Sequence, residues 1–145
     1  MKLILMMIFI SVACTKKNTP EGVLSDFISK RFEGNIDKEV IVEYITGELA
    51  QEIETMSDEE FNEFVAIDQL KKRKLVISNK SCENNKCYLT YLLSYNTIED
   101  GQKAFQTDTK KIAEISNTES GWKISKITHL KTFHDSKQEI DITDK

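Results

Sequence analysis

The sequence predicts an α+β domain, with N-terminal helices packed on an antiparallel four-stranded sheet. Three observations carry this. Apolar residues recur at helical spacing from Val23 to Phe32 and again between residues 40 and 65. From Lys74 to Leu130 the pattern changes to runs of strand formers. Short turns punctuate those runs, at Glu83-Asn84-Asn85-Lys86, around Asp100-Gly101 and at Thr118-Glu119-Ser120-Gly121. A chain of 145 residues fits one domain and buries a core without staples. Its formal charge of -4 gives it no electrostatic match to nucleic acid.

The chain begins with an address. Lys2 supplies a minimal positive end, and Leu3 to Ala13 is apolar apart from Ser11. That run is too short for a bilayer core, which needs about 20 residues, but it fits the hydrophobic part of a signal peptide. It closes on Ser11-Val12-Ala13-Cys14, with Ser11 where Leu is usual. The ending resembles the lipobox of bacterial lipoproteins. The resemblance implies a signal peptide over residues 1–13, cleavage before Cys14, and a diacylglyceryl thioether on Cys14. It also implies N-terminal acylation and, with Thr15 after the cysteine, anchoring at the outer membrane. Residues 14–19 are then a lipidated cysteine and a short tether. Five residues reach at most about 17 Å, which holds the domain close to the bilayer.

A single α+β domain is expected over residues 20–133. Thr19 caps the first helix, Pro20 suits its first position, and Glu21 favours the positive end of its dipole. Val23, Leu24, Phe27, Ile28 and Phe32 form its apolar face, and Gly34 stops it. Asp37 caps a second helical region carrying Val40, Ile41, Tyr44 and Ile45, interrupted at Thr46-Gly47. Leu49, Ile53 and Met56 continue the period. Ser57 and Glu60 form a capping box for a helix carrying Phe61, Phe64, Val65 and Leu70. The acids at 58–60 read as first-turn carboxylates rather than a metal site. Lys71 to Lys74 read as cations at that helix's C-terminus.

Four strands follow. A two-residue turn at Asn84-Asn85 sets Cys82 opposite Cys87, Val76 opposite Leu93 and Ile77 opposite Leu92. Cys87, Leu89, Tyr91, Leu93 and Tyr95 make one apolar face, yet this register puts Leu75, Ile77 and Leu92 on the other. A bulge reconciles them, and so does a sheet covered on both faces. The wholly polar stretch 107–111 reads as a solvent-facing or edge segment. The last turn sets Ile115 opposite Ile124 and Asn117 opposite Trp122, with Gly121 as its left-handed residue. Trp122, Ile124, Phe27 and Phe32 are expected between the first helix and the sheet. Residues 134–145 read as a polar tail, with Ile140 and Ile142 alternating as an extra edge strand would.

The helix opened by Thr19-Pro20-Glu21, the hairpin VISNKSCENNKCYLTYLLSYNT and the closing hairpin AEISNTESGWKISKI form a set. Together they resemble small bacterial lipoproteins of unknown function in the nuclear transport factor 2-like superfamily. The resemblance covers roughly Pro20 to Leu130. It implies a cone, with helices on the concave side of a strongly bent sheet.

In an exported chain the directly opposed Cys82 and Cys87 are expected to form a disulfide. The functional expectation is a lipid-anchored envelope domain that binds a protein partner or small ligand without chemistry. The alternative is a small pocket enzyme of isomerase or dehydratase type, with His129, His134, Tyr91, Tyr95 and Asp108 as its acid-base candidates. No cofactor is implied. His129 and His134 are five apart, a separation that suits neither one face of a regular strand nor a helical metal pair.

Overall fold

Eight elements follow one another in the computed structural model, which describes residues 19–33, 36–65, 70–99 and 102–136. The signal stretch, Cys14, most of the tether, Gly34, Asp100-Gly101 and residues 137–145 lie outside the described residues. The helices are α1 (Pro20–Arg31), α2 (Lys38–Val42), α3 (Gly47–Thr55) and α4 (Asp58–Val65). The strands β1 (Leu70–Glu83), β2 (Lys86–Glu99), β3 (Gln102–Thr118) and β4 (Gly121–Ser136) form one antiparallel sheet in the order β1-β2-β3-β4.

The local chemistry explains the helix starts. Thr19 accepts a 3.0 Å hydrogen bond from the Gly22 amide. The Ser57 amide donates to Glu60 at 2.7 Å and the Glu60 amide to the Ser57 hydroxyl at 3.2 Å, a reciprocal capping box. Asp37 precedes α2, but its side chain makes no cap hydrogen bond. Between α2 and α3 the chain touches the edge of β4. The Ile124 amide donates to Tyr44 at 2.8 Å and the Thr46 amide to Ile124 at 2.9 Å. Gly47 then turns into α3 with φ +58°, a left-handed conformation that explains the interruption there.

Three sequence expectations are corrected. The α1 helix ends at Arg31 with Phe32 as its C-cap, short of Gly34. Leu70 and the Lys71–Lys74 cations belong to β1, not to a helix end. Residues 134–136, expected in the tail, are the last of β4, paired with β3.

The largest correction concerns β3. Residues 107–111 lie in a strand flanked on both sides, by β2 and β4. Thr107 is 1% exposed and Thr109 4%. A polar run need not be an edge, because alternate residues of a strand face opposite sides. Here the hydroxyls satisfy themselves: Thr109 donates to the Leu93 carbonyl at 3.3 Å, and Thr107 lies 3.1 Å from His134 Nδ1.

Register shifts make the faces coherent. In β1 the pairing steps from Ile77–Tyr91 to Asn79–Thr90, leaving Ser78 as the extra residue. Its hydroxyl bonds to the Thr90 carbonyl at 3.2 Å. This bulge brings Leu75 and Ile77 opposite Leu93 and Tyr91, onto the face of Leu89. The choice left open by the sequence thus falls to the bulge. Further shifts fall at Ala104, Ser125 and Leu130.

All four helices contribute to the core on this inner face. Leu24, Phe27, Ile41, Ile53, Leu89, Ala113, Ile115 and Ile124 are fully buried. Phe32 and Trp122 are half-buried at the margin, with Phe32 against Tyr95. Both closing-hairpin pairs, Ile115–Ile124 and Asn117–Trp122, stand as expected. Gly121 has φ +100°, and Asn84 takes φ +52° in the first turn.

Cys82 and Cys87 are bonded, with Cα atoms 4.1 Å apart. Cys87 is buried and Cys82 exposed, so the bridge closes the rim of the sheet. The loop it closes is short. Replacing both cysteines by Ser is expected to cost about 2 kcal/mol, read as a lower urea midpoint with the fold retained.

Candidate functional site

The helices cover the inner face near the Asn84-Asn85 and Glu119-Ser120 turns. Along the strands away from those turns, the same face turns polar. Strand parity and the bulges place Tyr91 and Tyr95 of β2, Thr107, Thr109 and Lys111 of β3, and His129, Thr132 and His134 of β4 there.

Arg31 meets them from above, at the end of α1. It lies one helical turn after Phe27, so the periodicity that buries Phe27 also turns Arg31 toward the sheet. One guanidinium nitrogen, Nη2, donates to the Phe64 carbonyl at 2.7 Å. The guanidinium carbon sits 4.2 Å from the centroid of the Phe64 ring and 6.0 Å from that of Phe27. Its Nε is buried without a hydrogen-bond partner.

Lys111 pairs with Tyr91 on one side and His129 on the other. Among the described residues no hydrogen bond or ion pair ties its ammonium. Burial lowers the pKa of Lys111, and the Arg31 charge lowers it further. Burial also lowers that of Arg31, while Tyr91 and Tyr95 act in the opposite sense. Tyr91 is pushed up to about 12 by burial, against the opposing pull of Arg31, so its hydroxyl stays protonated at neutral pH. Two cations and two tyrosines therefore share one half-buried region, and among the described residues no carboxylate contributes to either cation's shift.

The sign of the pH dependence follows. Between the lowered pKa of folded Lys111 and its ordinary 10.5, the unfolded chain binds more protons, so this lysine makes stability rise with pH. Tyr91 acts oppositely from about pH 10 to about 12, where the unfolded chain has already lost its proton. Lys111→Met is expected to flatten the first limb and leave the second, as read from urea midpoints across alkaline pH.

The acid-base candidates are only partly brought together, with the two tyrosines and two histidines on the inner face. Asp108 lies on the outer face, 3.0 Å from the Gln106 amide nitrogen. Tyr91 is buried, whereas His129 and His134 are exposed. The extra residue at Leu130 corrects one expectation: it restores parity, so both histidines sit on the inner face despite their odd separation. They remain two inner-face steps apart, roughly 13 Å along the strand. His129 Nε2 instead meets Thr132 at 2.9 Å. No group of three metal-ligating side chains occurs among the described residues.

Sequence reasoning missed Arg31 and Lys111. Both left a signal: Arg31 is four residues after Phe27, and Lys111 is two before Ala113 and four before Ile115, in phase with the buried residues of β3.

A concavity of about 470 Å³ lies elsewhere, at the rim between Thr46, Glu48, Lys86, Glu114, Ser125 and Lys126. Its charges are already satisfied. Lys86 bonds Glu114 and Lys126 bonds Glu48, each at 2.7 Å. Exposed pairs of this kind contribute little, and they leave no charge seeking a guest.

No helix among the described residues is long and apolar enough to cross a membrane. No protein-family model matches the chain, and no curated protein sequence matches it. Among solved structures, the intermembrane space region of the chloroplast protein ARC6 is similar, with a TM-score of 0.55 at 14% identity. The similarity covers 76% of this chain and 92% of that one. At that identity the likeness speaks for the fold, an α+β domain with one open four-stranded antiparallel sheet.

Proposed function

We propose that this is a lipid-anchored envelope protein whose domain binds a ligand or partner on the inner face of its sheet and performs no chemistry on it. The cone of the nuclear transport factor 2-like superfamily is the architecture we assign. Helices on one sheet face and bulges that bend the strands support it. The observation that carries the binding reading is the donor-rich interior around Arg31, Lys111, Tyr91 and Tyr95. Half-burying two cations with no ion-pair partner among the described residues is costly, and such arrangements cluster at functional sites. General acid-base work needs a tuned pair within reach of one substrate atom. The histidines and Asp108 stand apart instead.

The Val12-Ala13-Cys14 ending supports anchoring. Radiolabelled palmitate should enter the wild type and not Cys14→Ser, and equal labelling of both overturns the anchor. Native mass spectrometry of full-length protein extracted in neutral detergent should find a bound guest released intact on unfolding. A guest converted to product during incubation overturns the non-catalytic reading.

A further inference from the structure

We infer that Arg31 and Lys111, with the hydroxyls of Tyr91 and Tyr95, bind the carboxylate of a small acid that carries an apolar body. This deepens the binding reading and rests on it.

The donor set fits an acceptor-only guest. Arg31 offers Nε, which is buried and unpartnered, while its Nη2 is already held by the Phe64 carbonyl. Lys111 offers an ammonium free of other partners among the described residues. Tyr91 is held in its protonated form and can only gain by donating. An ionised carboxylate accepts at both oxygens, and a guanidinium edge matches its plane.

The surroundings select the kind of anion. Phe64 lies against the guanidinium plane, with Phe27 beyond. With Nη2 engaged, Nε is the donor left unpartnered in the guanidinium plane, and it suits a flat group lying in that plane rather than a tetrahedral one. Phe32 stands against Tyr95, so the wall beside the charges is aromatic. A dianion has a far larger desolvation cost than a monoanion in such surroundings. These features favour a carboxylate with an apolar tail or ring over inorganic phosphate.

Binding is also expected to take up protons. A carboxylate beside Lys111 favours its charged form, against the burial and the Arg31 charge that disfavour it. Among the described residues the register sets Tyr91 of β2 and His129 of β4 beside Lys111, with Arg31 across from it. Affinity should therefore fall as pH rises on the alkaline side, and His129→Asn should keep that fall.

The test is calorimetric titration of the full-length chain in neutral detergent with hexanoate, phenylacetate, acetate and inorganic phosphate. Hexanoate or phenylacetate should bind and raise Tm, with acetate and phosphate each at least about tenfold weaker. Lys111→Met should weaken binding by roughly tenfold to a hundredfold, the worth of one charge-assisted hydrogen bond. Arg31→Lys, which keeps the charge and loses the planar edge, should weaken it by at least about tenfold. A cooperative melt of each variant shows that it is folded. Tighter binding of phosphate, no response to either apolar acid, or unchanged affinity in folded Lys111→Met each overturns the proposal. A different guest found on the extracted protein, with no response to these acids, would overturn the carboxylate site alone and leave the binding reading standing.

Discussion

Phe27→Ala is expected to lower stability by about 3–5 kcal/mol, the range for truncating a large buried side chain. Phe27 is 0% exposed at the centre of α1, in ring contact with Tyr44 and below the Arg31 guanidinium. Its loss opens a cavity between the helix and the sheet, and the surrounding residues relax only in part. A domain of this size has about 5–15 kcal/mol in hand, so the variant should melt far lower or fail to fold. A urea midpoint within error of wild type would mean that α1 does not pack as described.

Leu89 and Tyr88 are neighbours in sequence and opposite in fate. Leu89 is 0% exposed on the inner face, and Tyr88 is 43% exposed on the outer face. Leu89→Ala should cost about 2–5 kcal/mol, whereas Tyr88→Ala should stay near 0.5 kcal/mol. The contrast tests the register of β2, because a one-residue slip exchanges the two faces. Equal losses, or the reverse order, would show the register to be wrong.

Much of this fold was legible in the sequence. The Thr19-Pro20 start, the Ser57-Glu60 box and the Gly121 turn are local rules, readable within four residues. The hairpin turns fixed the pairs nearest them, Cys82–Cys87, Lys80–Leu89 and Ile115–Ile124, before any bulge intervened. Beyond Ser78, Ser125 and Leu130 the register was not legible. Each bulge shifts every later residue by one, and nothing in a serine or leucine announces it. The same blindness hid the site. His129 and His134 fall on one face only because of Leu130, and 107–111 looked like an edge because its burial comes from neighbouring strands. The end of α4 was misplaced because Leu70 continues a helical period that the chain abandons.

Lys111 is a half-buried cation with no ion-pair partner among the described residues, and the proposed site gives it a purpose. The isolated protein bears the cost, and a guest with a carboxylate relieves it. Stability and function are then opposed at Lys111, as is common where a site must meet charge that the fold itself does not supply. The Lys111 titration, followed by NMR on full-length protein with ¹³C-labelled lysine and Lys111→Met for assignment, tests this most directly. The expected result is a Lys111 signal that titrates below the bulk of the lysines and moves upward when hexanoate is added. A Lys111 signal that titrates with the bulk near 10.5 and ignores hexanoate would contradict the account.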